Sequence, residues 1–319
     1  MGDQPVSLKP LRIAVVGGGA AARKAISALS SLLTVQIETV LCLPDELTDL
    51  IPPSKRSLKF NDILAAGDVA AVYVATPVDT HVELAEAALA VGKNVLIEKP
   101  LATSTSSASI LIPPVGIVAA MAFKKRFSGA NRYVRVAVAE WPNVVVELVW
   151  RIHAPTTAWR YDSRRAGGGV IMDLGSHALD LLEHLFGEIV EILATVQAER
   201  SGVETCALLA VRFSRGHRGT IALQWGDEYL QRLSICSPAG HIVVDRSELG
   251  DDLVHESHSP FSIHRFPQNS EYIDLFTQWR DAIDGRPSAV PSLAEGIRNL
   301  RLIEAAYASV AARNPVGTL

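Results

Sequence analysis

The chain has 319 residues, 48% of them hydrophobic and 20% charged, with a formal net charge of -4. That length exceeds what one hydrophobic core usually serves, and the composition excludes a disordered or fibrous chain. Lysine and arginine are scattered, which argues against nucleic acid as a partner, and no run approaches the roughly 18 apolar residues that span a bilayer.

Between Leu11 and about Ala122, the apolar runs RIAVVG, IETVLCL, AAVYVAT, NVLIE and VGIVAAMAF alternate with the helical patterns AARKAISALSSLL and HVELAEAALAVG. Short buried runs separated by helices predict βαβ units, so residues 1–122 are expected to form a doubly wound α/β domain with a parallel sheet. The polar stretch TSTSSAS at 103–109 is expected to open a helix that Pro113 and Pro114 stop.

After Phe123 strand-like runs follow one another: RYVRVAVAE, NVVVELVWR, EIVEILATVQ, TCALLAVRFS, GTIALQWG, RLSIC and HIVVD. The links SRGHRG and SPAG read as tight turns, so residues 123–319 are expected to form an α+β domain with a large open, mostly antiparallel sheet. Two helices end the chain, EYIDLFTQWRDAIDG and one opened by Ser292 and Glu295 in capping-box spacing. Cys42, Cys206 and Cys236 are odd in number and lie in apolar runs, which points to buried thiols in a reducing compartment rather than disulfides or zinc. The first residues, MGDQPVSLKPLR, carry no signal-peptide pattern, so the cytoplasm is expected and no metal role is foreseen.

The segment RIAVVGGGAAARKA places Gly17, Gly19 and Ala22 in G-x-G-x-x-A spacing between a strand and a helix. Such a turn lets a dinucleotide pyrophosphate approach the backbone and the free N–H groups of the helix. Leu43 stands where an acidic residue would hold the ribose of NAD, Asp45 comes two places late, and Lys55 and Arg56 lie further on. Both NAD(H) and NADP(H) stay open, with the balance toward NAD.

In NVLIEKPLA, Glu98 and Lys99 close an apolar strand at its carboxyl edge, where ligands of open α/β sheets bind. With GGGAAA, ATPVDTH, the FKKRF run, GGGVIMDLGSHALD and the C-terminal DAIDGRPSAVPSLAEGIRNLRL, the chain resembles the Gfo/Idh/MocA family of glucose–fructose oxidoreductases, inositol dehydrogenases and rhizopine-catabolism proteins. The resemblance implies a Rossmann domain followed by an open-sheet domain used for homo-oligomer contacts in a dimer or tetramer, and a Lys99-Pro100 bond in the cis form. Lys99, Asp173 and His177 resemble the family's catalytic group. Gly17, Gly19, Ala22, Thr76, Pro77, His81 and Glu98 resemble its cofactor contacts, and Lys125 and Asp180 its positions for substrate hydroxyls. Val78 departs from the Asn often found after Thr-Pro.

If MDLGSHALDLLEHLF is helical throughout, Asp173, His177 and Asp180 project from one face and must line a cleft, because isolated charges are costly to bury. The three glycines at 167–169 would then admit the close approach of a dinucleotide. His177 suits general base and acid chemistry, with Lys99 as the cation beside the substrate oxygen. Asp173 either orients the imidazole or holds a substrate hydroxyl. Trp159 and Arg160 are placed beside cofactor or substrate, or else pack as an ordinary tryptophan and surface arginine. His255 and His258 fall in a segment read as a polar loop. The expected activity is hydride transfer between NAD(P) and a secondary alcohol or ketone of a polyol, keto-sugar, sugar nucleotide or cyclitol. A redox-neutral NAD-dependent glycosidase and a non-catalytic NAD(P)-binding regulator are the alternatives.

Overall fold

The computed structural model describes residues 9–42, 47, 49–57, 59–198, 202–257, 261–268 and 271–318. The chain runs β1 (Leu11–Val16), α1 (Ala20–Leu29), β2 (Val35–Leu41), β3 (Arg56–Ser57), α2 (Phe60–Ala65), β4 (Ala71–Val74), α3 (His81–Ala90), β5 (Asn94–Ile97), α4 (Thr105–Ala108) and β6 (Ala119–Met121). These strands form one sheet in the order β3-β2-β1-β4-β5-β6, with parallel pairing throughout. Strands β4 and β5 are buried along their whole length, which is why they read as unbroken apolar runs. The order reverses at β1 and β4, so a crevice opens beyond their carboxyl ends.

The second part contains α5 (Gly129–Ala137), β7 (Val145–His153), α6 (Ser163–Ala166), α7 (Ser176–Phe186), β8 (Ile189–Ala198), β9 (Glu204–Phe213), β10 (Arg218–Gly226), β11 (Leu230–Ser237), β12 (Gly240–Arg246), β13 (Asp252–Glu256) and β14 (Ser262–Phe266). It closes with α8 (Glu271–Ile283), α9 (Leu293–Ala312) and β15 (Val316–Gly317). Nine described strands form a sheet in the order β14-β13-β12-β11-β7-β10-β9-β8-β15, in which only β7 and β10 run parallel. The SRGHRG and SPAG turns join β9 to β10 and β11 to β12 as antiparallel hairpins.

Four local expectations are corrected. RYVRVAVAE, read as a strand, lies largely in α5: Ala130, Val134 and Val138 are buried at helical spacing, whereas Val136 is 80% exposed. The alternating valines imitate a strand, and packing on the core selects the helix. The segment with His255 is not a loop, because β13 contains His255 and β14 contains His264; His258 lies outside the described residues. Helix α4 is a single turn capped by Ser104 and ends well before Pro113. The cysteines are not buried either: Cys236 is exposed and Cys42 and Cys206 are partly so.

The two sheets are tied by the C-terminal helices. Tyr272, Leu275, Phe276 and Trp279 of α8 pack in one cluster with Ile13, Val15, Tyr73 and Leu96, so this helix lies on the first sheet. Helix α9 opens with the capping box of Ser292 and Glu295 and packs against β6, α7 and β8. These helices thus join the two layers between which the site lies.

Candidate active site

A cleft of about 840 Å³ follows the carboxyl ends of the first sheet and is closed on its other side by residues 157–173 and Trp225. Gly17 has φ +124°, and a Cβ there would sit 2.2 Å from the carbonyl oxygen of Ala75, so only glycine fits. Gly19 caps α1 without any side-chain hydrogen bond, and no acidic residue occupies the first turn. The first helical bond back to the cap comes from Arg23, which leaves the amides of Ala20 and Ala21 open to an anion. Ala22 itself is fully buried and brings helix and strand together. The turn thus fits a dinucleotide pyrophosphate. Leu43 and Asp45 lie outside the described residues; Lys55 donates to Ile37 O at 2.6 Å and Arg56 to Ile51 O at 2.6 Å.

At the far end of the cleft the Lys99-Pro100 bond is cis. The Lys99 ammonium lies 2.8 Å from both the carboxylate and the backbone oxygen of Asp173. The second carboxylate oxygen of Asp173 meets Arg160 Nη1 at 2.8 Å, and the Arg160 guanidinium stands 4.9 Å over the Trp159 ring. Burial pushes the Asp173 carboxyl up, but Lys99 and Arg160 overcome it and hold the group well below the usual carboxylate range. Lys99, Asp173, Trp159 and Arg160 are therefore together.

His177 is not part of that ion group. Residues 171–175 form a π-helical turn ahead of α7, and its wider winding takes Asp173 out of the straight i, i+4 register assumed for a continuous α-helix. His177 Nδ1 is closed off from solvent and has no hydrogen-bond partner among the described residues. Burial, then Lys99, Lys124, Lys125 and Arg246, hold the imidazole well below its ordinary 6.5.

Asp180 does not reach the cleft. Its side chain is 2% exposed, and both carboxylate oxygens accept from Arg126 Nε at 3.1 Å. Arg126 also binds Glu295 at 2.6 Å, so Asp180 joins α7 to α9 instead of meeting a substrate hydroxyl. Lys125 keeps 16% of its side chain exposed, with Nζ 3.4 Å from Glu271.

The glycines at 167–169 admit the protein's own atoms. A Cβ on Gly168 would lie 2.0 Å from the Tyr307 hydroxyl, and one on Gly169 would lie 2.0 Å from Glu204 O. The Glu204 carboxylate accepts from Gly169 N and Ile171 N at 3.0 Å and from the Tyr307 hydroxyl at 2.7 Å. Glu204 thereby receives the amides that open the π-turn.

Thr76, Pro77 and His81 all line the cleft, and the His81 ring is buried, with Nδ1 2.9 Å from Pro100 O and Nε2 2.9 Å from Thr76 O. It joins the Thr76 turn to the turn carrying Lys99. Glu98 accepts from Tyr73 and Tyr272 hydroxyls at 2.6 and 3.2 Å and from Lys99 N at 3.1 Å. Glu98 lines the cleft as well, so these bonds fix its place at the edge where a cofactor contact is expected.

Residues 11–113 match the oxidoreductase family profile described as an NAD-binding Rossmann fold, and residues 141–243 match the GFO/IDH/MocA C-terminal domain. The chain belongs to the GFO/IDH/MocA oxidoreductase family. The 1,5-anhydro-D-fructose reductase of Ensifer adhaerens is 28% identical over 80% of this chain and 83% of that protein. The inositol 2-dehydrogenase of Rhizobium meliloti is 24% identical over 80% of this chain and 82% of its own. Among solved structures, GenD2 of gentamicin A biosynthesis in complex with NAD superposes with a TM-score of 0.84 at 25% identity, covering 99% of both chains.

In this GFO/IDH/MocA protein, sequence reasoning missed Arg126, Glu204, Tyr307, Lys124, Arg246 and Glu271. Only FKKRF carried a visible signal, three basic residues between two phenylalanines. The remaining residues become conspicuous only through buried partners distant in the chain.

Proposed function

We propose that this oxidoreductase transfers hydride between NAD and a secondary alcohol or ketone of a sugar or cyclitol. The observation that carries the reading is the Lys99 ammonium, held by Asp173 at the end of a cleft whose other end offers the open amides of α1. Two of its three N–H donors are used by Asp173, and the third remains for a substrate oxygen. There it stabilises negative charge as the alkoxide develops. Bound nicotinamide supplies the hydride acceptor in one direction and the donor in the other.

His177 takes the hydroxyl proton in oxidation and returns it in reduction, a role worth about 10²–10⁴ in rate. Its lowered pKa keeps the ring neutral, and so able to accept a proton, at pH 7 and below. Asp173 and Arg160 position Lys99. NAD is favoured because Lys55 and Arg56, the basic residues that follow β2, are turned to backbone carbonyls of the first domain.

Reduced nicotinamide is followed by absorbance with NAD and NADP, in both directions, against inositols, aldoses and keto-sugars. Hydride transfer in proportion to product supports the reading, and nucleotide binding without any transfer overturns it. Lys99→Met is expected to lower kcat by about 10³ or more, with cofactor Kd within about threefold. In the oxidation direction, the rate should not fall on passing from pH 8 to pH 6 through loss of the base, and His177→Ala should lower kcat by about 10² or more; a wild-type rate in that variant would remove His177 from the role.

A further inference from the structure

A cluster of charged side chains from four elements lies near His177, whose imidazole feels Lys124, Lys125 and Arg246. Lys124 and Lys125 come from the turn after β6, Glu271 from the first turn of α8, and Arg246 and Asp252 from the facing ends of β12 and β13. Arg246 Nη1 lies 2.9 Å from Glu271 and 3.1 Å from Asp252, and Lys125 shares Glu271 at 3.4 Å. Asp252 is further occupied by Ser128 at 3.2 Å and Gln268 at 2.7 Å.

The carboxylates do not balance the cations. Lys124 donates to the Tyr272 hydroxyl at 3.0 Å and lies 4.3 Å over that ring, and it has no carboxylate partner among the described residues. The Arg246 side chain is 5% exposed, yet its Nη2 finds no acceptor among the described residues. Around the reacting end, Lys99, Arg160, Lys124, Lys125 and Arg246 stand against Glu98, Asp173, Asp252 and Glu271, formally five charges against four. Burial, with Arg246 and Lys124 and against the pull of Glu271, brings the Lys125 ammonium down to about 7. Burial would raise Glu271, but Lys125 and Arg246 draw it down to about 2, so it stays ionised. Bound oxidised nicotinamide adds one more positive charge. A neutral polyol leaves that excess in a partly desolvated pocket, where an unmatched charge is costly.

We propose that the substrate is an acidic sugar, a polyhydroxy carboxylate whose carboxylate is received by Lys124 and Lys125 while a secondary hydroxyl meets Lys99 and His177. The assignment rests on the proposed hydride-transfer reading. The carboxylate is a spectator: the carbinol C–H bond breaks with hydride going to nicotinamide, and the hydroxyl proton goes to His177. Both lysines keep some exposure, whereas Arg246 acts from behind Glu271. The ionised Glu271 beside Lys125 repels a dianionic phosphate ester more strongly than a monoanionic carboxylate.

The test uses matched sugars differing only at one carbon: glucose, galactose and mannose, their uronates and their 6-phosphates, with NAD and the full chain. Expected is a kcat/KM at least about tenfold higher for the acid than for its neutral partner in at least one set. Lys125→Met should lower that acid-to-neutral ratio at least about tenfold through KM, and Lys125→Arg should restore most of it. Preference for the neutral sugar or the phosphate, or an unchanged ratio in Lys125→Met, overturns the assignment while leaving the hydride-transfer reading intact. If no set turns over, calorimetric titration of the NADH-loaded protein decides. Tighter binding of the uronate supports the charge assignment although the activity reading fails, and equal or absent binding overturns it.

Discussion

The two glycine-rich turns of this protein look alike in sequence and do opposite work. In the first turn Gly17 is pressed against Ala75 O, but Gly19 is kept bare toward open space: a Cβ there would meet nothing within 4 Å, and no side chain caps the helix behind it. At 167–169 the space is already filled, by Tyr307 and Glu204 at 2.0 Å from the missing Cβ atoms. Gly19 in the first turn leaves room for a ligand. In the second, glycine lets β9 and α9 grip the π-turn that leads into α7. A run of glycines therefore shows that something comes close to the backbone, and only the fold says whether it is ligand or protein.

Glu204→Ala is expected to give the largest effect on stability. It removes the acceptor of two buried amides and of the Tyr307 hydroxyl, a loss on the order of 4 kcal/mol measurable by denaturant unfolding. Gly169→Ala comes next, at about 1–3 kcal/mol or more, because its Cβ meets backbone that has to move. If Gly169→Ala melted like the parent but lost cofactor affinity, the second turn would face ligand after all and the comparison would fail. Gly19→Ala should be the mildest, changing stability by less than about 0.5 kcal/mol while weakening NAD binding about tenfold, or about 1.4 kcal/mol, in a fluorescence titration. Unchanged affinity would show that the open amides of α1 are not where the pyrophosphate sits.

The first domain was largely legible because parallel strands buried on both faces must be apolar throughout, as AVYV and NVLI are. The second was less so. Val134, Val136 and Val138 alternate like a strand, and only the core behind Ala130 and Val134 makes the segment helical. Strands β13 and β14 were overlooked because they carry charged and histidine residues at the margin of an open sheet, where apolar patterning is weak. In the site, Lys99 and Asp173 were expected to belong together, and they do lie in contact. Asp180 is a substrate position only by resemblance; its partner Arg126 lies 54 residues earlier, and nothing local in the sequence points to that pairing.

By itself, the sequence determined the features that depend on neighbours in the chain: the G-x-G-x-x-A turn, the Ser292 cap, the strand that ends in Glu98 and Lys99, and the helical spacing after Asp173. Tertiary structure decided which charges are spoken for. Lys99 meets Asp173 across 74 residues and Lys125 meets Glu271 across 146. Pairing at such separations is set by how the two sheets and the C-terminal helices pack. Once water is excluded, that same packing makes each pairing strong enough to distinguish a catalytic group from a structural one.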